Sequence, residues 1–288
     1  MNLSIAVCVP VVDLLAEGPC WDADEGRLSW VDIKARKVFT WTPGRERAYI
    51  ELPDEVSLAL PRTRGGFVAA QVDQLIAGGP GRWREVCRIQ PDNAHTRLND
   101  GCCDTSGRLW IGTYSTRGQA EAGVYCIDPD GTVIQVQDEM VAANGIEWSA
   151  DGRTLYLADT GRCRIDRFTL DPRDPSRTTL IHDGEVWVGD GAQGRPDGLT
   201  LDQNDNLWIA MWGGGRLLHL ARDGNVLAEV PVPVTYPTAV CFGGARFRTL
   251  YVTTSSHHLD EPSREPLAGS LLACTPPLSG RQMPRYAG

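Results

Sequence analysis

No Lys/Arg cluster occurs anywhere in this chain, and its net charge of −9 with a pI near 5.1 leaves no basic face for a phosphate backbone. A nucleic-acid partner is therefore not expected. No run reaches the roughly 18 apolar residues that a membrane-spanning helix needs. The opening stretch, MNLSIAVCVPVVDLL, is apolar but has no basic n-region, and Pro10 and Asp13 interrupt it, which argues against a signal peptide. The nine cysteines are scattered and odd in number, and the adjacent Cys102 and Cys103 do not make a CxxC motif. They are expected to be buried thiols of a protein in the reducing cytoplasm. No GxSxG elbow is present, and no histidine neighbours Ser57 or Thr238 in sequence, so a serine nucleophile has little support. Helical periodicity is weak as well, and 31 glycines and 19 prolines break most long helical segments.

What is present is a repeat. Six segments share a polar turn followed by a strand-like run, among them WDADEGRLSWVDI from Trp21, CDTSGRLWIGTY from Cys103 and WSADGRTLYLADT from Trp148. The first strand hydrophobes after the turns are Leu28, Phe67, Leu109, Leu155, Leu207 and Leu250, at spacings of 39, 42, 46, 52 and 43 residues. That is the period of a four-stranded propeller blade. The turns carry hairpin residues such as Asp-Gly and Gly-Gly. The expected fold is all-β: a six-bladed β-propeller with a central channel, one domain over residues 1–288. Either SIAVCVPVV near the start or SLLACTPP near the end could supply the strand that closes the ring and removes its open edges.

Equivalent positions of successive blades form a ring around a propeller axis. Ten to twelve residues before each aligned hydrophobe stand Glu17, Ser57, Asn99, Asn144, Asp197 and Thr238. All six are polar, and Glu17, Asn99, Asn144 and Asp197 carry carbonyl or carboxylate oxygens. A glycine follows each of these four within two residues, which permits close backbone approach at an axis. Oxygen donors from several blades suit one divalent cation: Ca²⁺, Mg²⁺ or Mn²⁺, with Zn²⁺ also possible. The two carboxylates would balance its charge. A cation so held keeps open positions for water and a substrate carbonyl, which points to hydrolysis of an ester or lactone. The plainer alternative is that these residues only hydrogen-bond within the channel.

The segments EGPCWDADEGRLSWVDI, RLNDGCCDTSGRLWIGT, NGIEWSADGRTLYLADT, RPDGLTLDQNDNLWIAMW and PTAVCFGGARFRTLYVTT resemble the senescence marker protein/gluconolactonase family of regucalcin-like sugar lactonases over roughly residues 12–257. The resemblance implies a six-bladed propeller with one divalent cation in its channel. It implies that Glu17 of EGP, Asn144 of NG and Asp197 of PDG bind the metal, and that Asp197 is also the general base. Arg97 and Asn99 of RLNDG would bind the sugar lactone, with Asn99 also approaching the metal. The implied reaction converts an aldonolactone to its aldonic acid. Two positions depart from the family pattern. Arg117 stands where some animal members have a substrate-contacting glutamate, and Tyr114 stands where several relatives have methionine.

Other candidates are weaker. Asp100 is expected to cap its own turn. His257 and His258, placed on a strand, would point to opposite faces and share no metal. Trp21, Trp110, Trp148 and Trp208 are expected to pack blades. Trp212 and Gly213-Gly214-Gly215 are expected just beyond the fifth-blade strand, as a rim. The expected partner is a small sugar lactone, with no nucleic acid and no membrane. The enzyme alternatives are a promiscuous aryl-esterase or phosphotriesterase. The alternative from another class is a non-enzymatic calcium-binding propeller.

Overall fold

A computed structural model describes residues 3–90 and 92–288. Six four-stranded antiparallel sheets follow one another around an axis. The innermost strands are Ala16–Asp22, Val56–Pro61, Thr96–Cys103, Ala143–Trp148, Arg195–Leu201 and Pro237–Gly243, one for each of blades one to six. The second strands begin at Arg27, Phe67, Leu109, Thr154, Leu207 and Thr249, each within one residue of the repeat's aligned hydrophobes. The expected six-bladed propeller is therefore the observed fold.

Both candidate closing segments belong to the sixth blade. Leu271–Cys274 is its third strand, and Ala6–Val9 pairs with it antiparallel as the outermost strand. The early segment thus closes the ring onto the late one and covers the late strand's edge.

The apolar core is divided into six clusters, each drawn mainly from two adjacent blades. This division explains the sequence pattern. Inner strands are sandwiched on both faces and are buried along nearly their whole length, as in Ala143–Trp148. Outermost strands have one face in water and alternate, as in Val226–Pro231. The expected packing tryptophans lie in these clusters. Trp110 and Trp148 meet edge to face at 4.8 Å, and Trp21 stacks on Tyr251 at 5.8 Å. Of the nine cysteines, all unpaired, seven are buried and Cys8 and Cys87 are partly exposed.

The segment after the last strand crosses one end of the channel. Tyr286 is fully buried, and its hydroxyl donates to the Asp128 carbonyl at 2.9 Å. Arg62 Nε donates to the Gly288 backbone oxygen at 2.8 Å. Arg281 pairs with Asp205 at 2.6 Å, and Arg285 pairs with Asp24 at 2.8 Å. Met283 lies against the axis beside Asp100 and Ile146. This end, the base, is sealed, so the open end is the mouth.

Candidate functional site

Every axial residue expected from the repeat lies on an innermost strand, and at each one the pairing with the second strand slips. The register shifts fall between Glu17 and Cys20, Val56 and Leu58, Leu98 and Gly101, Ala143 and Ile146, Pro196 and Leu199, and Pro237 and Ala239. A bulge bends the strand and re-aims the side chain beside it. The glycines that follow allow the strands to crowd together. A Cβ on Gly145 would stand 2.4 Å from the Asp197 carbonyl oxygen, and one on Gly198 would stand 2.3 Å from the Ala239 Cβ.

Four of the six axial residues, Glu17, Asn99, Asn144 and Asp197, line one cavity of about 460 Å³ at the mouth, together with Arg97. The other two turn inward. Ser57 Oγ donates to the Asn99 carbonyl at 3.0 Å, and Thr238 Oγ1 donates to the Ala16 carbonyl at 2.5 Å. Ser57 and Thr238 thus tie neighbouring inner strands together.

Within the cavity, Asn144 Nδ2 donates to Asp197 Oδ1. Arg97 Nη1 donates to Asn99 Oδ1 and to the Leu98 carbonyl, both at 3.0 Å. Asn99 Nδ2 donates to the Ala143 carbonyl at 3.0 Å. The Arg97 guanidinium sits 5.0 Å over the Tyr114 ring, a cation–π contact that fixes its plane. Arg97 and Asn99 are therefore held as one unit.

Burial drives the electrostatics. It raises the Glu17 carboxyl from its ordinary 4.5 to about 8, aided by the nearby Asp100 and opposed by the Gly18 N–H and Arg97. Asp197 is pushed well above its ordinary range by burial, then by Glu17 and Asp100, against the Asn144 hydrogen bond and Arg97. Two desolvated carboxylates facing one another need a positive charge or a proton. Their oxygen donors, with the amide of Asn144, fit a hard divalent cation in charge and in donor type. Turning the Asn144 amide over would present its oxygen in place of Nδ2. Among the described residues, no group of three or more His, Cys, Asp and Glu side chains is arranged for a metal, so the candidate donor set is two carboxylates and an amide.

Several expectations change. Asp100 does accept its own turn's Gly101 N–H, at 2.8 Å, but it also faces the axis below the mouth, and burial raises it to about 6. Strand pairing in the sixth blade ends with Thr254, so His257 and His258 lie in a turn. Their rings meet edge to face at 4.9 Å instead of pointing apart. Trp212 is the last residue of the strand Leu207–Trp212 and lines the mouth cavity. Arg117 is away from the cavity lining and pairs with Glu121 at 2.5 Å, which locks that loop to itself.

The repeat also held a second ring, of which only Arg97 was singled out from the sequence. Two residues before the axial positions stand Leu15, Glu55, Arg97 and Ala142, all lining the mouth. Their neighbours on or just past the second strands include Ile33, Tyr114 and Thr160, which line it too. The signal was the same blade period, read two residues earlier.

Residues 15–256 match the model of the SMP-30/Gluconolactonase/LRE-like region. The 6-deoxy-6-sulfogluconolactonase of Pseudomonas putida is 31% identical over 295 aligned positions, covering 100% of both chains. Regucalcin of Gallus gallus is 30% identical, covering 91% of this chain and 90% of its own. The crystal structure of a calcium-binding protein, regucalcin from Agrobacterium tumefaciens, superposes with a TM-score of 0.92 at 27% identity, covering 100% of this chain and 99% of that one.

Proposed function

The chain belongs to the SMP-30/gluconolactonase/LRE-like family, and from that premise we propose that it is a carboxylic-ester hydrolase that opens a sugar lactone to its aldonic acid at the mouth of the channel. The observation that carries this reading is the convergence of Glu17, Asn144 and Asp197 with Arg97 and Asn99 on one cavity. The relative named 6-deoxy-6-sulfogluconolactonase supports the substrate class.

Glu17, Asn144 and Asp197 would hold one divalent cation, with Ca²⁺, Mg²⁺, Mn²⁺ and Zn²⁺ the candidates, and a relative described as calcium-binding supports such an ion. When bound, the cation supplies charge neutralisation and polarisation of the ester carbonyl. Asp197 has two carboxylate oxygens, so one would hold the cation while the other takes a proton from the attacking water. The water oxygen bonds to the acyl carbon, the ring C–O bond breaks, and the departing ring oxygen takes up the proton. Arg97 and Asn99, already locked to each other, orient the ring hydroxyls at no further ordering cost. Nine unpaired cysteines support a cytoplasmic setting. Among the described residues, no helix is long and apolar enough to cross a membrane.

A pH-stat panel tests the assignment, comparing aldonolactones with an aryl ester and a phosphotriester in the presence of each cation. The expected result is the highest kcat/KM on an aldonolactone. Preference for the aryl ester or phosphotriester would replace it with the promiscuous-hydrolase reading. Cation binding without turnover of any ester would leave the calcium-binding propeller, the reading that the regucalcin relatives favour.

A further inference from the structure

The mouth cavity is largely polar, with Glu17 of blade one and the Lys34–Glu55 pair of blades one and two adding charge to its lining, but it holds one apolar patch. Arg97, Asn99, Asn144 and Asp197 form a wall from blades three to five. The apolar patch lies beside this wall. Leu15 and Ile33 of the first blade form it, and Trp212 of the fifth blade packs against their cluster. Trp212 pairs across the strands with Arg195, two residues before Asp197, so it stands just above Asp197 on the same blade.

Trp212 does not lie loose. Its ring contacts Tyr236 at 4.7 Å and meets His258 edge to face at 4.9 Å. His258 also lines the cavity, and burial holds its imidazole below its ordinary proton affinity, so it adds little charge to this patch. Tyr114 occupies the matching position in the third blade, paired with Arg97, but there the guanidinium covers the ring. Of these two equivalent aromatics, Trp212 is the one with no guanidinium over it.

A sugar ring likewise combines polar and apolar surface. Its hydroxyls radiate from the edge and need donors and acceptors, whereas its C–H face is apolar and packs on a flat aromatic surface. Building on the lactonase reading above, we propose that Trp212 is the stacking platform for the C–H face of the lactone ring, with His258 and Tyr236 fixing its plane. The polar wall then meets the ring edge and carbonyl. This makes Trp212 a determinant of substrate affinity, and it favours lactones in closed six-membered form over extended, acyclic esters.

The test uses the full chain and two probes: D-glucono-1,5-lactone for turnover, and 1,5-anhydro-D-glucitol, which keeps the ring but has no carbonyl to attack, for binding by calorimetry. Trp212→Ala is expected to raise both the KM and the Kd roughly three- to tenfold while kcat stays within about twofold. Trp212→Phe is expected to recover both to within about threefold of the parent. Thermal melting of both variants identifies loss of fold, and Trp212→Phe decides the matter if Trp212→Ala unfolds. A KM and Kd unchanged in Trp212→Ala, a loss confined to kcat, or an unmodified protein that fails to bind 1,5-anhydro-D-glucitol would overturn the platform. Binding of 1,5-anhydro-D-glucitol that depends on Trp212 in a protein that hydrolyses no lactone would overturn the hydrolytic reading and leave the platform standing.

Discussion

At the mouth, the inner strands present Glu17, Asn144 and Asp197 to an open cavity. Three residues further along the same strands, about 10 Å away at the rise of a β-strand, Cys20, Glu147 and Thr200 face Arg281 and Met283 of the late segment. Both ends bury carboxyl groups, yet they treat them differently. At the base, Glu147 lies 3.8 Å from Arg281 and accepts from Thr200 at 3.3 Å. Burial still raises it, but only to about 7, because Arg281 and Thr200 oppose the shift. At the mouth, Glu17 and Asp197 burden one another, and Arg97 offsets that only in part. On the proposed function, the carboxyl pair left partly uncompensated at the mouth is where a cation would be held.

The comparison can be broken from either end. The largest effect is expected at the mouth. Asp197→Asn should lower kcat on D-glucono-1,5-lactone by about 10³-fold or more. Its melting temperature should not fall, because a desolvated carboxylate has been removed. Kinetics and a thermal melt on one preparation check both halves. At the base the pattern should invert. Tyr286→Ala deletes a fully buried ring and its hydroxyl bond, at a cost of about 3–5 kcal/mol. The melting temperature should fall by roughly 10 °C, with KM unchanged in the folded protein.

The smallest effect lies in pH. Glu147 and, without a cation, Glu17 keep their protons in the folded protein up to about 7 and about 8, well above the ordinary 4.5. The folded state therefore binds more protons than the unfolded chain between those limits. The stability these two groups contribute is fully present below about 4.5 and is lost as pH rises through the folded values. Glu147→Gln should flatten the portion near 7 whether or not a cation is present. Added cation should flatten only the portion near 8. Melting curves recorded across this range check the separation; a cation that flattens both portions would contradict it.

Much of this was legible in the sequence. The turns and hydrophobes gave the blade period, because each blade must bury the same second strand; Leu28, Leu109 and Leu207 are fully buried. The axial residues were legible because a propeller converts sequence period into a ring. Residue type also separated the four cavity residues from Ser57 and Thr238; that these two hydroxyls tie neighbouring inner strands was not legible, because their acceptors are backbone carbonyls of the next blade. Trp212 was misplaced by the three glycines after it, which suggested that the strand had already ended. His257 and His258 were misread because the strand stops at Thr254. The seal at the base was invisible, because SGRQMPRYAG has no periodicity and its role lies in contacts such as Tyr286 with Asp128, 158 residues apart in sequence.

The central claim is that Glu17, Asn144 and Asp197 hold a cation on which lactone hydrolysis depends. It is tested most directly by stripping the protein with chelator and titrating a divalent cation back while hydrolysis of D-glucono-1,5-lactone is followed. Turnover should vanish on stripping and return to saturation at one cation per chain, and Glu17→Gln should neither bind the cation at that stoichiometry nor recover. Full turnover in chelator, or a Glu17→Gln variant that recovers as the parent does, would contradict the account.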